Sequence, residues 1–159
     1  MAIPAKESLQ SLRRRVMERA YDYLNERQRE AVFQIKGPLL ILAGAGSGKT
    51  TVLVSRVANM VRYGDAYHSP YFMRELDETE KALLERYAAD GEWDERIPDL
   101  LGIDRVEPWR IMAITFTNKA AGELKERLCK MLGEAAGEIA AGTFHSICVR
   151  ILRRNIERL

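Results

Sequence analysis

Residues 38–51 read Pro38-Leu39-Leu40-Ile41-Leu42-Ala43-Gly44-Ala45-Gly46-Ser47-Gly48-Lys49-Thr50-Thr51, and the reading of this stretch decides the fold. The apolar run 39–42 predicts a buried parallel strand. Beyond the loop, Val52, Leu53, Arg56, Val57 and Met60 recur at helical spacing. Between the two lies a loop of small residues, whose successive N–H groups can converge on an anion because little side chain blocks the approach. The following helix adds its orphan N–H groups and the positive end of its dipole. In such a cradle Ala45, Gly46, Ser47, Gly48, Lys49, Thr50 and Thr51 are the candidate phosphate-binding residues. Lys49 is expected to reach the β- and γ-phosphates and Thr50 to hold Mg²⁺. A glycine-rich turn with an incidental Lys-Thr would not explain the flanking strand and helix.

The rest of the chain bounds what surrounds this loop. Its 159 residues, 47% hydrophobic and 30% charged, can bury a core without disulfides or a structural metal. No apolar run is long enough to span a bilayer, and the first twenty residues are too charged for a signal peptide. A cytoplasmic protein without membrane partners is expected. Cys129 and Cys148 are too few for a disulfide framework and, with only His68 and His145 beside them, lack zinc-ligand spacing; both are expected to be packing residues. Charge is unevenly divided. Residues 65–108 hold thirteen acidic and five basic side chains, a net of −8, which leaves +10 for the remainder. A basic body with an acidic insert suits a polyanionic partner.

In chain order, residues 4–23 place Leu9, Leu12, Val16, Ala20 and Tyr23 at helical spacing, with Arg13-Arg14-Arg15 expected on a solvated face. Asn25 then reads as an N-cap, with Gln28 three residues later as in a capping box. The sharper alternative is that the Gln28 amide, with a donor and an acceptor side by side, reads the edge of an adenine. At about 65–107 a small acidic insert is expected, helical from 78 to 89 and carried as a surface insertion. A second strand, 111–115, leads into Phe116, Thr117, Asn118 and Lys119, with Thr117 or Asn118 capping a helix that runs to Gly133. A third strand, 139–144, leads into Thr143, Phe144, His145 and Ser146 and a helix studded with Arg150, Arg153 and Arg154. Ligands of open α/β sheets bind at the carboxyl ends of strands. Two such ends, each offering Thr, Phe and a hydrogen-bonding residue, suit successive contacts along one strand of nucleic acid. Phe116 reads equally well as core or as a stacking platform. His145 lacks the nucleophile or carboxylate partner of a general base.

Four blocks together carry a resemblance: Leu24-Asn25-xx-Gln28-xx-Ala31-Val32; Ala43-Gly44-Ala45-Gly46-Ser47-Gly48-Lys49-Thr50; Ile114-Thr115-Phe116-Thr117-Asn118-Lys119-Ala120-Ala121; and Gly142-Thr143-Phe144-His145-Ser146-xx-Val149-Arg150-Ile151-Leu152-Arg153-Arg154. In this order they resemble the first four motifs of the UvrD/Rep/PcrA group of superfamily 1 DNA helicases, over roughly residues 24–63 and 105–158. The resemblance implies an α/β fold: a P-loop, RecA-like parallel sheet with helices on both faces, incomplete here, behind an N-terminal helical extension at 1–23. It implies that Gln28 reads adenine, that Gly46, Gly48, Lys49 and Thr50 hold ATP and Mg²⁺, and that Phe116, Thr117, Asn118, Lys119, Thr143, Phe144 and His145 meet single-stranded DNA. It further implies ATP-driven 3′ to 5′ stepping and the opening of duplex junctions, in repair or replication.

Three departures qualify the transfer. Thr51 stands where relatives often carry an Arg that packs on adenine, so base affinity is expected to be weaker or supplied otherwise. The insert lengthens the gap to the second strand by about forty residues. The sequence also stops at Leu159, with no Asp-Glu pair at the end of a later strand and no second RecA-like domain. The expectation is therefore an N-terminal fragment that binds ATP but hydrolyses it poorly without the remainder of the helicase chain, because phosphoryl transfer depends on positioned charge. Two alternatives stand beside it: the helicase part of a recombination-repair helicase–nuclease, and a non-catalytic nucleotide- or DNA-binding module.

Overall fold

The computed structural model describes residues 8–44 and 46–156. Ala45 and the extreme ends, including Pro4, lie outside the described residues. The chain divides into two compact units, one running to Arg105 and the other beginning at Val106.

The first unit is helical. Helix α1, Leu9–Ala20, starts where the Ser8 hydroxyl accepts from the Ser11 N–H. Helix α2, Glu26–Phe33, opens on a complete capping box between Asn25 and Gln28. Helix α3, Lys49–Arg62, follows the glycine loop. Helix α4, Glu78–Asp90, has its own capping box from Asp77 and Glu80, and a short α5, Ile97–Leu101, begins on Pro98 at its second position. The two limbs of the chain around α4 and α5 close on each other at an isolated parallel bridge between Gly64 and Ile103. Gly64 has φ +59°, and a Cβ there would lie 2.0 Å from the Ile103 carbonyl oxygen, so the bridge requires glycine.

Segment 65–107 is not the surface insertion that its sequence predicts. Leu76, Leu83, Leu84, Tyr87, Ile97, Leu101 and Ile103 lie in one core with Leu12, Val16 and Met17 of α1, Val32 and Phe33 of α2, and Val52 of α3. The insert supplies apolar faces that α1 needs to bury its own. Of the triple arginine, Arg14 and Arg15 are exposed as expected, but the first departs from that expectation. Arg13 is completely buried, donates to the carbonyls of Ser69 and Tyr71, and stacks over the Phe72 ring at 4.4 Å. A charge can be buried at this cost because carbonyl oxygens and a ring face replace its water.

The second unit is α/β. Strands β1, Met112–Thr115, and β2, Ala140–Thr143, form a two-stranded parallel sheet in the register Met112↔Ala140 to Thr115↔Thr143. Helix α6, Asn118–Leu132, buries Ala121, Leu124 and Leu128 against both strands, and helix α7, Phe144–Arg154, buries Ile147. The strand predicted to reach residue 144 stops at Thr143, because the Thr143 hydroxyl accepts the Ser146 N–H and starts α7 there. Cys129 is exposed rather than a packing residue, and Cys148 is partly buried; both are free thiols.

The strand predicted at 39–42 is absent. Residues 39–42 have no ladder partner, and Leu40 and Leu42 are 80% and 87% exposed. A parallel strand is stable only between neighbours that complete its ladder and under helices that cover both faces. Among the described residues, β1 and β2 form the sole sheet.

Candidate nucleotide and nucleic-acid sites

The glycine loop of the first unit is built by three local devices. Gly46 and Gly48 adopt left-handed backbone, φ +75° and +79°, which lets the chain reverse into α3. The Ser47 hydroxyl donates to the Gly44 carbonyl at 2.7 Å and fixes the turn. The Lys49 ammonium folds back to donate to the carbonyls of Ala43, at 2.9 Å, and Gly44, at 2.6 Å. Every described residue of the loop from Ala43 to Gly46 is exposed, as are Ser47, Lys49 and Thr50, while Thr51 is partly buried. Side chains cap α1, α2, α4, α6 and α7, yet among the described residues none caps α3, whose N-cap is Gly48. Its first N–H groups thus face the loop opening with the helix dipole behind them.

Gln28 sits over this loop. Its Oε1 accepts from the Asn25 N–H at 3.0 Å and its Nε2 donates to the Ser47 carbonyl at 3.1 Å. The capping-box role read from the sequence is thus present, and the second contact adds a tie to the loop. A primary amide has two N–H donors and two acceptor lone pairs, so one of each stays available to a ligand.

A further residue holds this arrangement together. Arg56, half-buried on α3, donates to the carbonyls of Ala31 and Gln34 at the end of α2, and buried Asn59 donates to Val32 at 3.4 Å. Burial lowers the Arg56 pKa from its ordinary value, although an arginine stays charged in any protein setting. The sequence held a signal for it: Arg56 is a cation inside the apolar stripe of its helix.

In the second unit, Thr115 and Thr143 are register partners, so the residues that follow them leave one edge of one sheet. Phe116 is 99% exposed and Phe144 56% exposed, which removes the core reading of Phe116. Thr117 caps α6 through the Ala120 N–H at 3.2 Å, and Asn118 and Lys119 are exposed on its first turn. Thr143 is buried and its hydroxyl is committed to the cap of α7. The exposed His145 ring meets Phe144 edge-on at 6.1 Å. Beside this edge, His145, Val149, Arg150, Arg153 and Arg154 line an open basic groove.

Among the described residues, no group of three or more His, Cys, Asp or Glu could hold a metal, and no helix is long and apolar enough to cross a membrane.

Comparison with known proteins decides the ancestry. The model of the UvrD/REP helicase N-terminal domain matches residues 24–71 and 94–159. The chain belongs to that family. It is similar to the ATP-dependent DNA helicase PcrA of Bacillus subtilis, 43% identical over 136 residues, or 86% of this chain and 13% of that protein. PcrA of Staphylococcus aureus (strain Mu50) is 40% identical over 143 residues, 90% of this chain and 14% of that protein. PcrA of Staphylococcus epidermidis is 41% identical over 136 residues, with 86% and 13% covered. The chain thus spans about one-seventh of the length of these UvrD/REP relatives. The family match skips only 72–93, the stretch that contains α4, and includes 65–71 and 94–107, so the unmatched segment is about half the forty residues expected from the sequence.

Proposed function

We propose that this chain is the ATP-binding part of a cytoplasmic ATP-dependent DNA helicase that steps 3′ to 5′ along single-stranded DNA and opens duplex junctions, in repair or replication. Its place would be in a P-loop, RecA-like domain completed by the remainder of the helicase chain. The carrying observation is the loop beneath Gln28: two left-handed glycines, an uncapped helix start, and a lysine whose ammonium rests on carbonyl oxygens. The ammonium of Lys49 must leave those oxygens to meet a phosphate, and its exposure leaves it free to move. Gly46 and Gly48 would bring backbone N–H groups to the phosphates, where side chains would obstruct, and Gln28 would read the adenine edge.

Mg²⁺ fits this site in one manner. Thr50 offers a single exposed hydroxyl and no carboxylate cluster stands near it among the described residues. Such a cation takes most of its oxygens from the nucleotide phosphates and water. The cation would supply charge neutralisation to the phosphates; the chain would supply orientation.

At the sheet edge of the second unit, exposed Phe116 and Phe144 would stack on bases, while Asn118, Lys119 and His145 contact the backbone and Thr117 and Thr143 shape the helix starts. Titration with a fluorescent ATP analogue and Mg²⁺, with and without a short single-stranded oligonucleotide, tests the reading. Saturable binding of both ligands by the 159-residue chain, with little hydrolysis, is the expected result. Absence of nucleotide binding by the folded chain would overturn it.

A further inference from the structure

Helix α2 is tied to the loop and helix α3 at both ends. Near its start, Gln28 Nε2 donates to the Ser47 carbonyl at 3.1 Å. At its far end, one Arg56 nitrogen, Nη1, donates to the carbonyls of both Ala31, at 2.6 Å, and Gln34. Carbonyls at a helix C-terminus lack intrahelical partners, and a cation there also meets the negative end of the dipole. The attachment at this end is therefore strong, and it issues from the same helix that the glycine loop begins.

This arrangement makes a lever. From Gln28 to Gln34 is six residues, about 9 Å along a helix. A tilt of about 6° at the C-terminal end would move the Gln28 end by about 1 Å, enough to carry a 3.1 Å hydrogen bond out of range. We propose that Arg56 is a positioning residue: by gripping the end of α2, it sets the Gln28 amide at the height over the loop from which a purine edge is read. The inference rests on the proposed base-reading role of Gln28. It adds a residue remote from the ligand that sets base selectivity without touching base or phosphate.

The test separates base recognition from phosphate binding. Affinities for ATP, GTP and inorganic tripolyphosphate are measured on the 159-residue chain by competition against a fluorescent ATP analogue, for the unsubstituted chain, Gln28→Ala, Arg56→Met and Arg56→Lys. The expected result is that Gln28→Ala and Arg56→Met each lower the ATP-over-GTP preference at least fivefold while tripolyphosphate affinity stays within twofold. Arg56→Lys, which keeps the charge on a shorter stem, restores part of the preference. If Gln28→Ala loses the preference and Arg56→Met keeps it, the positioning role is overturned and base reading stands. Arg56→Met lowering all three affinities in proportion also overturns it, since that is the signature of general structural support. If Gln28→Ala keeps the preference, or the unsubstituted chain has none, base reading falls and the positioning role with it. Should circular dichroism show Arg56→Met unfolded, Arg56→Lys is read by the same criteria: a reduced preference at constant tripolyphosphate affinity supports the role, and an unchanged preference overturns it.

Discussion

Replacing Gly48 by Ala probes the loop at the point where backbone conformation and the Gln28 contact meet. Gly48 has φ +79°, and an L-residue held in left-handed backbone costs about 1–2 kcal/mol. The new methyl would also stand 3.1 Å from Gln28 Nε2, a few tenths of an ångström inside ordinary van der Waals contact. The amide is the end of a flexible side chain, so it would retreat, stretching its 3.1 Å bond to the Ser47 carbonyl. That bond contributes about 0.5–1.5 kcal/mol net. The expected destabilisation is therefore about 1.5–3.5 kcal/mol. Gly46→Ala is the matched control: its φ is +75°, but a Cβ there meets nothing within 4 Å, so only the backbone cost of about 1–2 kcal/mol applies. Urea unfolding of both variants, alone and combined with Gln28→Ala, isolates the contact as a double-mutant cycle. The excess cost at Gly48 should vanish once Gln28 is gone. Equal costs at the two glycines, or an excess that survives without Gln28, would refute the reasoning.

Lys49→Ala should abolish binding of a fluorescent ATP analogue while unfolding shifts by less than about 1 kcal/mol, since Lys49 is exposed; a folded variant with normal affinity would remove Lys49 from the phosphate site. Phe116→Ala with Phe144→Ala should weaken binding of a labelled single-stranded oligonucleotide by on the order of 1–3 kcal/mol per stacked base, read by anisotropy; unchanged affinity would show that the exposed rings stack on nothing. Leu84→Ala empties a fully buried position in the core and should cost about 2–5 kcal/mol in urea unfolding; a cost under 1 kcal/mol would mean that α4 is only loosely docked. The Arg74 guanidinium, and after it the Asp77 N–H, hold the Glu80 carboxyl down at about 2, against an ordinary 4.5. A lowered folded-state pKa stabilises above the unfolded value, so the advantage over Glu80→Gln should be full above about pH 4.5 and fade toward pH 2; thermal melts that show the same advantage at both ends would contradict it.

Local chemistry was legible in the sequence where its partners are near in the chain. Asn25 and Gln28 lie three residues apart, and their capping box formed as read. Thr117 starts α6, and the helix ends before Gly133 as its pattern required. Residues 78–89 read as helical and α4 runs one residue further. What failed depended on distant groups. Arg13 is buried because Ser69, Tyr71 and Phe72, more than fifty residues away, receive its guanidinium, and adjacency to Arg14 and Arg15 made it look solvated. Residues 39–42 have the composition of a buried strand, but a ladder is a property of pairs, and their neighbours do not provide one. The periodicity of its helix says nothing of the partners of Arg56, which are the Ala31 and Gln34 carbonyls at the end of α2. Exposure of Phe116 could not be read either, since an aromatic after a strand occurs equally in cores and on platforms.

The insert and the nucleotide loop are linked through the core rather than across the surface. Segment 72–93, which the family match skips, contributes Leu76, Leu83, Leu84 and Tyr87 to the cluster that holds Val32 and Phe33 of α2 and Val52 of α3. Those three residues belong to the helix that carries Gln28 and to the helix that begins at Lys49. Close-packed interiors transmit a lost volume to their neighbours, because few voids exist to absorb it. A lesion at Leu84 should therefore loosen the α2–α3 pair that Arg56 clamps, although no residue of α4 belongs to the candidate sites. An insertion that only decorated a surface could vary without consequence for the loop. One that completes the core beneath α1 and α2 cannot, and its apolar positions should be as intolerant of truncation as those of α1 itself.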